Sequence, residues 1–263
     1  MASASRPAVR EGAIARGISA GRVDELLDDA PEPWWLSGDD IELVADVALL
    51  ASPLGDGEVR LRIGAPPEGS EAWELSIVAH DRPGLLGLTA DVVAHHELSI
   101  VHARIASWVL GQTALQRVSV VPVKVPLSGE PEWPFIGQAL RAALTGPPGE
   151  PTYPPVLPDG CAVRSVKPGR LETHWLIDIE ARDEIGLLAR IAGTLLALGA
   201  DVIAADIRSV NGRATDTFLV QLDDAAGLRT VQALAAQSML ADEARRNHGG
   251  LTLPVAGQPL RPG

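Results

Sequence analysis

Asp81-Arg82-Pro83-Gly84-Leu85-Leu86 and Asp183-Glu184-Ile185-Gly186-Leu187-Leu188 open two stretches of one design, at an offset of 183 − 81 = 102 residues. The offset holds through Ala90/Ala192, Ala103/Ala205 and Ile105/Ile207. Each stretch has an apolar strand ahead of it, helical spacing through it and an extended hairpin after it. A repeat of this period means two copies of one small unit. What is repeated is a strand ending in a glycine turn that starts a helix. The N–H groups and dipole of a helix N-terminus suit a small anion better than covalent chemistry.

Working outward, Trp73–Ala79 alternates as a strand with Trp73, Leu75, Ile77 and Ala79 on one face. Pro83 suits the first helical position after Asp81 or Arg82, where its missing N–H is not needed. Leu85, Leu86, Leu88, Thr89, Val92 and Val93 form the buried stripe of the helix. Ser99–Val109 and Thr113–Val123 flank a turn at Gly111-Gln112, and Glu132–Leu144 has helical spacing. Pro147 to Pro158 cannot be helix or central strand, and Cys161–Val166 reads as a short strand. The second repeat runs the same course. Trp175–Ala181 is a strand, Ile185–Leu198 a helix stopped by Gly199, and Asn211-Gly212 a hairpin turn between Asp201–Val210 and Ala214–Leu222. Ala225–Arg245 is a helix, and Leu251–Val255 can supply a last strand.

The expected fold is therefore α+β, with two ferredoxin-like βαββαβ domains at 72–168, including a Pro-rich insertion at 146–158, and 172–256. Each is an antiparallel sheet with its helices on one face, and the bare face must be covered or join another sheet. Residues 1–71 read as a mobile tail with a short helix at Ile18–Leu27, a linker helix from Asp39 to Ala51 and a strand at Glu58–Ile63. Ser37-Gly38-Asp39-Asp40 carries the capping pattern of that linker helix.

The composition excludes several classes of function. A net charge of −12 and a pI near 4.9 repel phosphate backbones and anionic lipids, so neither nucleic acid nor membrane is expected as a partner. Cys161 is the only cysteine, which leaves no internal disulfide and no cysteine metal site. His95 and His96 are adjacent on a helix and point about 100° apart, so they cannot chelate one ion together. No metal and no cofactor are expected. No nucleophile elbow occurs, and Gly146-Pro147-Pro148-Gly149 lacks the Lys-Ser/Thr of a phosphate loop. With no secretory h-region and no run of about 18 apolar residues, the expected location is the cytoplasm.

The Asp-Arg-Pro-Gly-Leu-Leu turn at the end of a strand resembles the ACT domain, a regulatory amino-acid-binding module. Asp183 to Ile207 is similar to the same module, with Asp201 after Gly199-Ala200 where such domains often carry Asn or Asp. Ala214-Thr215-Asp216-Thr217-Phe218 resembles the third strand of the tandem ACT pair at the C-terminus of bacterial PII uridylyltransferase/uridylyl-removing enzymes. The helix after Trp34-Trp35 sits where those enzymes connect to their ACT pair, so the resemblance covers roughly residues 34–256. The sequence carries neither their nucleotidyltransferase signature nor the ligands of their HD phosphohydrolase site; His80-Asp81 lies inside the first turn. Glu184-Ile185 replaces the preferred Arg-Pro in the second.

The resemblance implies a non-enzymatic sensor that captures a free amino acid, with glutamine leading, where two domains meet. Backbone N–H groups near Gly84-Leu85 and Gly186-Leu187 would take the ligand carboxylate, with Arg82 in the first turn. Asp81, Asp183 or Asp201 would accept from its ammonium group. Ser99-Ile100 and Asp201-Val202 are expected to face the turns across a domain interface. N-capping is the ordinary role for Asp81 and Asp183, whereas Asp201 opens a strand, where Asp is disfavoured. A homodimer and an unidentified protein partner complete the expectation. The rivals are a divergent or split uridylyltransferase relative and an interaction module without ligand.

Overall fold

The computed structural model describes residues 4–36, 38–124, 129–147, 157–223 and 225–248. Four helices come first: α1 (Arg6–Ala15), α2 (Ala20–Asp28), α3 (Glu32–Trp35) and α4 (Asp40–Leu50). Then follow β1 (Arg60–Gly64), β2 (Trp73–His80), α5 (Leu85–His95), β3 (Leu98–Trp108), β4 (Thr113–Pro122) and α6 (Trp133–Thr145). The second repeat supplies β5 (Ala162–Pro168), β6 (His174–Arg182), α7 (Leu187–Ala197), β7 (Asp201–Val210), β8 (Arg213–Gln221) and α8 (Ala225–His248).

All eight strands form one sheet in the order β1-β2-β4-β3-β7-β8-β6-β5, every pair antiparallel. The order reads as two mirrored halves joined at β3 and β7. There Arg104 pairs with Asp206, the same position in each repeat, so a local twofold passes between them. Helices α5 and α7 lie side by side over this junction. They are in contact at Gly87, where a Cβ would meet the Cβ of Ala192 at 3.6 Å, an ordinary van der Waals separation.

Strand pairing corrects one part of the expected organisation. The strand at 162–168, expected to complete the first unit, pairs with β6 at the far edge of the second half. Its place in the first half is taken by β1, which pairs with β2. The reason is local. The connection from β5 to β6 is short and closed by the Gly169 N–H to His174 carbonyl bond of 2.7 Å, and neighbours in sequence close a loop at least entropic cost. The repeat therefore begins at its edge strand, with Arg60 and Ala162 at the same offset. The hairpins differ: β4 starts at Thr113 opposite His80, and β8 at Arg213 opposite Arg182. The offset on the last strand is thus 213 − 113 = 100 residues. The expected strand at Leu251–Val255 and most of the Pro-rich stretch lie outside the described residues.

Residues 4–33, read from sequence as mostly a mobile tail, instead form helices. Ser5 and Ser19 cap α1 and α2 by accepting from the Ala8 and Arg22 N–H groups at 3.3 and 3.4 Å. Few apolar residues are present, so the periodicity is faint, but Val9, Ala13, Val23, Leu26 and Leu27 all fall on one buried face. Helix α4 has the capping box between Asp39 and Glu42. Together these helices bury Val78, Ala106, Trp108 and Leu115 on the back face of the first half of the sheet. Trp34 packs edge-on to Trp108 at 5.5 Å between ring centroids, and its indole donates to Asp46 at 2.9 Å. The corresponding back face of the second half carries Glu180, Arg208, Val210 and Thr215. Charged side chains there form ion pairs such as Arg208–Asp206 and Arg164–Glu180. A solvated face of this kind does not call for an apolar cover.

Candidate ligand-binding turns

Gly84 and Gly186 are the N-cap residues of α5 and α7, at φ 82° and 77°, and neither helix has a side-chain cap. Only a residue without Cβ adopts this left-handed conformation at no cost. Pro83 therefore precedes the cap instead of entering the helix, and Asp81 and Asp183 do not cap. The chain turns before the helix starts, which moves both aspartates out of capping reach. Their backbones close the turns onto the hairpins: Asp81 N–H donates to the Gln112 carbonyl at 2.8 Å and Asp183 N–H to that of Gly212 at 2.9 Å. Within the turns, Leu85 N–H bonds to the Arg82 carbonyl at 3.3 Å and Leu187 N–H to that of Glu184 at 3.1 Å.

Arg82 reaches away from the first turn. Its guanidinium donates to the Gly146 and Ala143 carbonyls at 2.9 and 2.8 Å and so satisfies the end of α6. In the second turn, Glu184 pairs with Arg190 at 2.8 Å, and the Asp183 carboxylate accepts from the Ser209 hydroxyl.

The junction of the two halves brings each turn against the other repeat. The first turn meets the start of β7. The Asp201 carboxylate takes the Gly84 N–H, while burial first and the nearby Asp81 second hold its carboxyl above the usual range. The Gly84 and Val202 N–H groups pull the other way. The α7 side chain Leu196 also lies on this turn, 2.6 Å from where a Cβ on Gly84 would be. The second turn meets the start of β3. Here the equivalent positions are Ser99 and Ala94, shorter than Asp201 and Leu196, and a cavity of about 20 Å³ remains. It is lined by residues 183–189 of the turn, by Ala90, Ala94, Ser99 and Ile100 from the other repeat, and by Ser209 and Asp216 beneath.

Asp216 was legible only as part of the third-strand resemblance, not as a site residue. It is 1% exposed, and its Oδ1 has no hydrogen-bond partner among the described residues. Burial lifts its pKa to about 7, with Asp183 and Asp206 adding to the rise and the Arg208 backbone N–H opposing it. The corresponding residue of the first repeat, at the 100-residue offset, is Gln116. It too is fully buried, and neither of its amide atoms has a partner among the described residues. A signal was available in the sequence: both repeats place a polar residue in an inward position of a strand otherwise filled by Ala, Val and Phe. Cys161 lies near Asp216, and burial first and Asp216 second push its thiol up to about 11.

A larger cleft of about 490 Å³ separates α2 and the 50–54 segment from one end of the sheet. Its polar groups already have partners. Arg22 donates to the Leu50 and Ala51 carbonyls, the Trp108 indole to the Leu26 carbonyl, and Asp29 accepts from Leu110 N–H. Among the described residues, no group of three or more His, Cys, Asp or Glu could hold a metal ion, and no helix is long and apolar enough to cross a membrane.

No family model matches the chain. A stretch of 72 residues, 27% of this chain, is 38% identical to the bifunctional uridylyltransferase/uridylyl-removing enzyme of Nitrosospira multiformis. That stretch spans 8% of the enzyme's length. The chain is thus similar to one short segment of that enzyme, a likeness that fits a regulatory or related role.

Proposed function

We propose that this chain is a non-enzymatic sensor of a free amino acid, glutamine first, built from two ACT-like, ferredoxin-like units. The observation that carries the reading is the cavity at the second turn. Ser99 and Ile100 of one repeat close over the Gly186 turn of the other. Leu188 and Ala189 are among the residues that line it, and their N–H groups lie in the first helical turn, where no carbonyl within the helix is in reach. A ligand carboxylate suits these donors and the α7 dipole. Ser99 would accept from or donate to the ligand's polar atoms. The first turn serves less well, because Asp201 already supplies a carboxylate to Gly84 and Leu196 covers the glycine.

A cavity of about 20 Å³ holds roughly one water. An amino acid therefore enters only if the α5–α7 junction opens, and that displacement is the signal. The ligand stabilises the open arrangement by its differential affinity and changes the surface offered to a protein partner. The two sheet edges, β1 and β5, each have one neighbour in the sheet and are where a second copy of the chain would add to form a homodimer. The tightness of the cavity equally favours a second reading, an interaction module without ligand.

Thermal denaturation with each of the twenty amino acids at millimolar concentration, followed by calorimetric titration, tests the proposal. A ligand at about 100 times its Kd adds roughly 2.7 kcal/mol and moves Tm by several degrees. A flat response to all twenty leaves the interaction module as the reading.

A further inference from the structure

We infer that the cavity beneath the second turn is a receptor for a primary ammonium group, with the Asp216 carboxylate as its acceptor. This deepens the amino-acid reading and rests on the same turn, but its evidence is separate. An isolated carboxylate in a protein interior is costly unless something pairs with it. Asp216 is nine-tenths and more buried and lines the cavity, and its Oδ1 has no protein partner among the described residues. The charged groups around it do not fill that role. Asp183 is engaged with the Ser209 hydroxyl and is of like charge, as is Asp206. Arg190 is close enough to act on the neighbouring Cys161 but is ion-paired to Glu184. The Arg208 backbone N–H serves the Asp216 carboxylate from β7.

Size and charge then define the missing partner. The cavity admits a body about as large as one water. A donor of that size that carries positive charge is an –NH3+ group or an ammonium ion. Comparison of the repeats makes the choice specific. The first repeat keeps a polar residue at this place but a neutral one, Gln116, beneath a turn already supplied with the Asp201 carboxylate. The second has the carboxylate below and the smaller Ser99 above. Asp183, distant from Asp216 in sequence but near enough in space to act on it, adds negative potential. The backbone donors of α7 would then face the ligand carboxylate while Asp216 takes its ammonium.

The test uses the full chain at pH 8 and two variants, Asp216→Asn and Asp216→Ala. Ammonium chloride, methylammonium chloride and L-glutamine are compared with sodium chloride and tetramethylammonium chloride at matched ionic strength. We expect one or more of ammonium, methylammonium and L-glutamine to raise the Tm of the unmodified chain, and Asp216→Asn to weaken that binding at least tenfold. Asp216→Asn should itself melt no lower than the parent at pH 8, because it removes a buried charge and keeps an acceptor for the Arg208 N–H, whereas a purely structural carboxylate would lower it; Asp216→Ala reads the added loss of that acceptor. Binding by ammonium and methylammonium without glutamine upholds the receptor while removing the amino-acid reading. Glutamine bound equally by the parent and Asp216→Asn overturns the receptor while the sensor stands. No shift with any compound assigns the cavity to a water and overturns the inference.

Discussion

Asp46→Ala should be among the most damaging single changes in this chain. Asp46 is fully buried between α4 and the sheet, where it accepts from the Trp34 indole and pairs with Arg117. Burial is the largest influence on its carboxyl and holds it above the usual range, even though Arg117 and Trp34 both favour the charged form. The pair therefore contributes little net stability as a unit, yet breaking it is costly. Removing Asp46 leaves the Arg117 guanidinium, 14% exposed, without its main partner. Glu42 at 3.2 Å still pairs with that guanidinium, so the loss falls at the lower end of the about 3–5 kcal/mol for breaking a buried pair, with the orphaned indole N–H inside that total. At about 2–4 °C per kcal/mol for a chain near this size, Tm should fall by roughly 10 °C. Guanidinium denaturation followed by tryptophan fluorescence reads the loss directly, since Trp34 and Trp108 are in the affected cluster. The double variant Asp46→Leu/Arg117→Leu should recover most of it, because apolar packing often matches a buried ion pair. A single variant within about 1 kcal/mol of the parent, or a double variant no better than the single, would refute this account of how the N-terminal helices are held.

Gly84→Ala should cost about 2 kcal/mol or more, from a left-handed φ of 82° and a Cβ that must displace Leu196; urea midpoints check it, and an unchanged midpoint would place the strain elsewhere. Asp216 gives a pH signature. Its folded pKa of about 7 lies above the unfolded value of 3.8, so the unfolded state loses its proton first and stability falls as pH rises from about 4 to 7. The full effect approaches about 4 kcal/mol by the pKa difference. Subtracting the pH–stability curve of Asp216→Asn from that of the parent isolates it, and a flat difference would contradict it. Cys161, with its thiol near 11, should resist aromatic disulfide reagents at pH 8 in the native protein and react at once in urea; rapid native labelling would mean the 161–216 region opens readily.

Much of this architecture is local, and local physics is what a sequence displays. The 102-residue repeat, the strand-turn-helix at Gly84 and Gly186, the helix from Asp40 and the Asn211-Gly212 hairpin each depend on residues within one or two turns of chain. Periodicity, left-handed glycines and capping side chains express those dependences directly. Misread elements were those in which distant partners decide. The N-terminal helices look too polar to stay put until Val78, Ala106, Trp108 and Leu115 offer them an apolar face. Edge strand β5 joins β6 because pairing is a choice among neighbours in space, about which its own alternation is silent. Asp81 and Asp183 have the right residue type for a cap, but the turn geometry puts glycine there. The candidate site shows the division most clearly. The two turns are nearly equivalent in sequence, and the resemblance between them is what suggested a ligand. Which turn keeps a cavity depends on Leu196 and Asp201 at one, Ala94 and Ser99 at the other, all contributed by the opposite repeat across β3 and β7. The buried carboxylate of Asp216 becomes meaningful only when that junction closes over it. Excluded volume and desolvation arise between elements, so only the tertiary structure could decide them.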